Sequence, residues 1–148
     1  MPQVCVDASL VVSRLMPEEQ SQLAEALWAR WQRDQITSFG PPLLYAEVTS
    51  VLRQAVFSGR LTSQEGESAF AIFCDMGIAI STRSDLHLLA WELAKTYNRP
   101  RAYDTMYLAA AQAEGCDLWT GDRRLVNAVD LPWVRWLGQE AGRHHRLC

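Results

Sequence analysis

Four carboxylates, Asp7, Glu47, Asp104 and Asp122, stand where an acid has little structural reason to be. Asp7 follows the apolar run Val4-Cys5-Val6 and Asp122 follows Leu118-Trp119-Thr120, so each falls just past the end of a stretch with strand character. Glu47 is the only acid of a helical stretch from Pro41 to Gln54, and Asp104 interrupts Tyr103-Asp104-Thr105-Met106-Tyr107 at the head of another. A carboxylate beside an apolar face is costly unless something compensates it, and clustered carboxylates raise one another's pKa. A hard divalent cation is the natural compensation. Mg²⁺ and Mn²⁺ favour oxygen ligands, so an acid pocket without His or Cys suits them better than zinc. Such a site activates water for in-line attack on phosphorus and stabilises the charge that builds on the phosphoryl oxygens. We expect one firmly held ion and a second recruited with substrate. Asp7, Asp104 and Asp122 are the expected direct or water-mediated ligands, and Glu47 a further ligand or the group that orients the attacking water. Without metal, the site should be unstable or partly protonated.

Each acid also has a simpler reading that stays open. Asp7 and Asp104 can be N-caps of the helices that follow, Asp122 can close the Thr120-Gly121-Asp122-Arg123 turn, and Glu47 can be an exposed helix position. Their joint placement favours a site.

The elements that must position these groups alternate. Strands are expected at 3–6, 35–38, 78–80, 117–120 and 133–137, and helices at 18–33, from Leu44 to Ala55, from Thr62 towards Gly77, at 85–97, at 104–113 and at 125–129. Strands alternating with helices predict a parallel sheet covered on both faces. In such a sheet ligands bind outside the carboxyl ends of the strands, where strand order reverses, so Asp7 and Asp122 converge if their strands are neighbours.

With 148 residues, 49% hydrophobic and 21% charged, the chain fits one domain with a proper core. We expect a domain over 1–138 and a flexible tail over 139–148. No apolar run approaches a membrane span and the first residues do not read as a secretion signal, so no membrane association and a cytoplasmic location are expected. Cys5, Cys74, Cys116 and Cys148 form no C-x-x-C pair, and Cys5 and Cys116 read as small core residues. A net charge of −3 argues against binding nucleic acid through bulk positive charge.

Four segments, Val4-Cys5-Val6-Asp7-Ala8-Ser9, Leu43-Leu44-Tyr45-Ala46-Glu47-Val48, Tyr103-Asp104-Thr105-Met106-Tyr107-Leu108-Ala109 and Leu118-Trp119-Thr120-Gly121-Asp122-Arg123-Arg124-Leu125, resemble in order and spacing the acidic motifs of the PIN-domain family, and most of all its VapC-type ribonuclease toxins. The resemblance covers roughly residues 3 to 137. It implies a three-layer α/β/α fold with a central, mainly parallel sheet, Mg²⁺- or Mn²⁺-dependent endoribonuclease activity, a homodimer, and a cognate antitoxin that blocks the active site. None of the four acids is replaced. Ser9 and Thr120 are candidate hydrogen-bond partners of the carboxylates, and Arg123 a candidate phosphate contact, with Arg14, Arg53 and Arg101 as extensions of that path. Trp119 and Trp133 read as core, Trp28 and Trp31 as core or partner interface, and His144 and His145 as a tail pair that matches no motif. A phosphoacceptor receiver would need a lysine at a late strand end, whereas Lys95 falls within a helix, and a nucleotide-binding fold would need glycines after the first strand. The remaining rivals are a non-catalytic PIN-like RNA- or partner-binding module and a housekeeping RNA-processing nuclease.

Overall fold

A computed structural model of the chain describes residues 2–139 and 146–148. The described residues form β1 (Gln3–Val6), α1 (Ala8–Leu15), α2 (Ser21–Arg33), β2 (Thr37–Gly40), α3 (Leu43–Phe57), α4 (Ser63–Asp75), β3 (Ala79–Ile80), α5 (Leu86–Thr96), α6 (Tyr103–Glu114), β4 (Leu118–Thr120), α7 (Arg123–Val129) and β5 (Val134–Trp136). The sheet is parallel with order β3-β2-β1-β4-β5. β1 is its centre, pairing Val4 with Ser38 on one side and Cys5 with Leu118 on the other. Strand order therefore reverses between β1 and β4, the switch point at which such sheets bind ligands.

The packing follows from which faces are apolar. Val4, Cys5 and Val6 are fully buried, as a strand covered on both faces requires. α1 to α4 contact one another on one face, while α6 pairs with α5 and lies against β1, β2 and β4. Right-handed crossovers put these two groups on opposite faces, which makes the expected three layers. Trp31, Trp119 and Trp133 are buried, and Trp31 meets Trp119 edge-on at 6.2 Å. Cys5 and Cys116 are buried in the same core. Among the described residues no helix is long and apolar enough to cross a membrane.

The sequence expectation omits α1 and shifts several boundaries by one to three residues, and two of these shifts have identifiable reasons. α2 begins at Ser21, because Glu18 is held in the preceding turn, where it accepts from Ser13 Oγ at 2.7 Å and its N–H donates to Ser21 Oγ at 2.8 Å. β2 begins at Thr37, because Gln35 takes the left-handed conformation (φ 56°) that ends α2. Ile36 N–H donates to Trp31 O and Gln35 N–H to Gln32 O, the paired bonds of a Schellman cap.

The expectation of a flexible end falls largely on 140–145, which with His144 and His145 lie outside the described residues. Residues 146–148 are hydrogen-bonded at the amino ends of β1 and β4. Cys148 exchanges backbone bonds with Gln3, and Arg146 O accepts from Asp117 N–H at 2.7 Å. Asp117 is fully buried, and its Oδ2 accepts from Arg135 Nε at 2.6 Å and Arg146 N–H at 3.0 Å. Removing one partner of a buried ion pair leaves a desolvated charge. Arg135→Met should therefore lower stability by about 2 kcal/mol, below the usual cost because the Arg146 N–H remains. Urea denaturation checks this, and an unchanged midpoint would show that the pair is not structural.

Candidate metal centre

Asp7 is fixed by local chemistry before any ligand is considered. It follows the last residue of β1 and caps α1, its Oδ1 accepting from Leu10 N–H at 2.9 Å. Ser9 Oγ donates to the same oxygen at 2.7 Å, and Thr120 Oγ1, at the end of β4, donates to Oδ2 at 2.5 Å. The two hydroxyls in turn accept from the loop after β4, Ser9 from Gly121 N–H and Thr120 from Asp122 N–H, each at 2.9 Å. A side chain at Gly121 would be tight there, since a Cβ would lie 3.2 Å from both Ser13 Oγ and Ser9 O. The cap reading and the site reading of Asp7 are thus both compatible with its geometry. Burial nonetheless dominates its ionisation: desolvation pushes its pKa up to about 6, against the pull of the Thr120, Leu10 and Ser9 hydrogen bonds, with the nearby Asp104 adding to the rise.

Glu47 comes from the first turns of α3 and is half-buried. Its pKa is raised by desolvation first, then by the negative charges of Asp104 and Asp7. Those couplings gather three acids from three elements at the carboxyl end of β1. Glu47 Oε1 is buried and has no hydrogen-bond partner. The buried Tyr107 hydroxyl from α6 interacts with this carboxylate and is the influence that draws its pKa back down. An exposed helix position does not describe Glu47.

Asp104 is not an N-cap. Ala102 occupies that position in α6, and Asp104 lies in the first turn, where the helix dipole favours an acid. It pairs with Arg99 Nη2 at 3.4 Å. Both side chains are partly exposed, so the pair is worth at most about 1 kcal/mol and yields easily to a stronger cation. Glu47, Asp104, Arg99, Arg101 and Tyr103 line one cleft of about 530 Å³. Arg99 and Tyr107 escape sequence reading, the first because a loop arginine carries no periodic signal and the second because it looks like core.

Asp122 caps α7, accepting from Arg124 N–H at 3.0 Å, so its turn role is realised. Its link to the other acids runs through the Thr120 hydroxyl that serves both its N–H and Asp7. Arg123 is exposed and lies over the Trp136 ring at 5.0 Å. Arg14 faces Glu25 at 4.0 Å and Arg53 lies over Phe57, while Arg101 is the cation of the expected path that lines the acid cleft. A separate cavity of about 560 Å³ beside Trp28 and Trp31 opens near Thr37 and Gly77, at the amino ends of β2 and β3, and holds none of the four acids.

Among the described residues no three His, Cys, Asp or Glu side chains are close enough to form a ready-made metal cluster. Asp104 is turned to Arg99 and Asp122 to the first turn of α7. The donor set fits a hard divalent ion all the same. It is oxygen-only, it leaves one buried carboxylate oxygen unpartnered, and it holds Asp7 at a pKa that a cation would lower.

Residues 4–131 match the PIN domain. The chain belongs to the PIN-domain family. Two proteins named Ribonuclease VapC1, from the CDC 1551 / Oshkosh and ATCC 25618 / H37Rv strains of Mycobacterium tuberculosis, are each 33% identical to this PIN domain over 135 residues, spanning 89% of this chain and 95% of their own length. The crystal structure of Mycobacterium tuberculosis VapC20, a Sarcin-Ricin loop cleaving toxin, matches it with a TM-score of 0.66 at 18% identity, covering 89% of this PIN domain and 98% of that chain. At that identity the likeness speaks for the fold, and the fold is the three-layer architecture expected from the sequence. This PIN domain is of the VapC type, a group whose nucleases are generally divalent-metal dependent.

Proposed function

We propose that the chain is a Mg²⁺- or Mn²⁺-dependent endoribonuclease that hydrolyses RNA phosphodiester bonds as the toxin of a type II toxin–antitoxin pair, acting in the cytoplasm as a homodimer and silenced by a cognate antitoxin. Its family and its identity to named ribonucleases support the activity. The observation that carries the site is the convergence of Asp7, Glu47 and Asp104 where strand order reverses, with a Glu47 oxygen left buried and unpartnered.

In this reading Asp7 is the anchor ligand, since three hydrogen bonds already fix its two oxygens. Glu47 and Asp104 complete the set from the opposite wall, and Asp122 joins directly or through water from the loop after β4. Ser9 and Thr120 fix the Asp7 carboxylate by donating to its two oxygens. The bound ion supplies Lewis acidity, activating water and neutralising charge on the phosphoryl oxygens. Asp104 would hold the ion in place of its pair with Arg99, and Arg99 and Arg101, which line the same cleft, would then be the cations available to backbone phosphates.

The test is cleavage of mixed RNA by purified protein with Mn²⁺ or Mg²⁺ and with EDTA, for the parent and for Asp104→Asn. Cleavage should require the metal and fall by at least about tenfold in the variant. Cleavage that persists in EDTA rejects the metal-nuclease reading, whereas metal-dependent RNA binding without cleavage favours the non-catalytic module. Growth arrest on expression, relieved by a co-expressed neighbouring gene, separates a toxin from a housekeeping nuclease.

A further inference from the structure

We propose that Tyr103 is the platform on which the RNA base beside the scissile phosphate stacks, so that this ring, rather than bulk charge, seats the strand at the acid cleft. The inference rests on the RNA-cleaving reading of that cleft. It starts from a ring that the fold leaves unused. Tyr103 opens α6 and is 59% exposed, and its ring pairs with no other ring among the described residues. It does not cap the helix, since Ala102 holds that position, and tyrosine is only a middling helix former. Its place is what distinguishes it. Among the described residues Phe57, Leu88 and Trp91 are exposed as well, yet of the large apolar side chains so exposed Tyr103 is the one lining the cleft with Glu47 and Asp104.

The cleft suits a nucleotide part by part. Its volume of about 530 Å³ lies within the roughly 300–1,000 Å³ of ligand sites. The acids face the phosphate that is cut, Arg99 and Arg101 are cations for the backbone, and Tyr103, Leu43 and Pro100 are apolar surface for a base. Tyr103 and Asp104 are consecutive, so their Cα atoms lie about 3.8 Å apart, while the helix turns their side chains about 100° from one another around its axis. The ring therefore flanks the acid without covering it.

Charge decides why the ring matters. The chain has 14 Lys and Arg against 17 Asp and Glu, so counterion release supplies little affinity for RNA. Stacking does not depend on net charge. Every base offers a π-face, and one stacked base is worth about 5- to 150-fold in Kd. A base inside a duplex has both faces covered, so the ring takes one that is unpaired and splayed from its neighbours.

The probe is a random-sequence single-stranded RNA decamer with 5-iodouridine in place of uridine, bound in Ca²⁺, which takes oxygen ligands as Mg²⁺ does but at longer distances. Irradiation joins the iodinated base to the aromatic ring it lies against, with loss of hydrogen iodide. Mass spectrometry should find the adduct on Tyr103. In Tyr103→Leu the Kd for the decamer should rise about tenfold, and in Tyr103→Phe it should stay within about twofold. An abasic decamer should bind parent and Tyr103→Leu alike. With Mn²⁺, KM for mixed RNA should rise in Tyr103→Leu by the same factor as Kd. An adduct confined to other aromatics, such as Trp91 or Trp136, overturns the stacking role and leaves the nuclease intact. So does a Tyr103→Leu protein with the parent's Kd and KM, or a loss equally large on the abasic decamer or in Tyr103→Phe. A parent that neither binds the decamer nor cleaves RNA in Mn²⁺ removes the RNA-cleaving reading itself, and the proposal with it.

Discussion

Replacing Asp7 with asparagine abolishes RNA cleavage and, in the absence of metal, makes the protein harder to melt at neutral pH. The first effect follows from removing the anchor ligand. It should exceed about 100-fold, the upper end of what losing a residue that merely supports a ligand costs. The second follows from burial. Asp7 is almost fully buried, and its pKa of about 6 means that keeping it ionised at neutral pH costs the folded chain about 3 kcal/mol relative to a carboxylate at its ordinary value. Asparagine keeps an acceptor for the Leu10 N–H and remains a good N-cap. It forfeits the bond from Thr120, worth about 1 kcal/mol. The balance is about 2 kcal/mol of stabilisation, or roughly 4–8 °C in melting temperature for a domain of this size. Differential scanning fluorimetry in EDTA at about pH 7.5, beside a cleavage assay, tests both halves. A variant that melts below the parent would show that the charge is already compensated within the fold, and a variant that still cleaves would remove Asp7 from the chemistry.

The same local physics separates what the sequence disclosed from what it did not. β1 was legible because Val4, Cys5 and Val6 are apolar on both faces, and β4 because Leu118 and Trp119 repeat the pattern before a polar turn. Their adjacency, on which the convergence of Asp7 with the Asp122 loop depends, is a tertiary fact that the sequence left conditional, since alternation of strands and helices does not fix which strands pair. α1 went undrawn as an element because Ala8 to Leu15 spans barely two turns and reads as an apolar run, although Asp7 was weighed as its cap. Gln35 misled the β2 boundary since nothing in its type announces a left-handed cap.

Within the site, motif spacing singled out the acids but not their company. Ser9 and Thr120 were visible as hydroxyls beside carboxylates in sequence, and both hydrogen-bond Asp7. Arg99 was invisible because it reaches Asp104 from the loop after α5, and Tyr107 because a tyrosine within a buried helical run reads as core.

The metal-free protein should also lose stability as pH rises, the opposite of ordinary acid denaturation. A carboxyl whose folded pKa is raised holds its proton more tightly in the folded state than in the unfolded one, so folding is favoured while both states are protonated. For Asp7 that advantage is complete below about pH 4 and is lost between about pH 4 and pH 6, as the folded carboxyl ionises. Over the window it amounts to about 3 kcal/mol. Glu47, raised for the same first reason, acts in the same direction. Exposed acids held by local partners, such as Asp85 beside Arg83, pull the other way, so the signature is the difference between parent and Asp7→Asn. Urea denaturation of both in EDTA from about pH 4 to pH 8 should give curves that cross, the variant slightly the less stable at the acid end, where only the Thr120 bond is lost, and the more stable above about pH 6. Mn²⁺ should reverse the parent's trend, because the ion binds the ionised carboxylates and stabilises only the folded chain. Parallel curves at every pH would mean that Asp7 titrates as an ordinary exposed acid. A Mn²⁺ effect equal in parent and variant would mean that the ion binds elsewhere. The carboxylate that makes the fold less stable is the one the ion requires, so metal affinity and the instability of the empty site have a common origin in the burial of Asp7 at the end of β1.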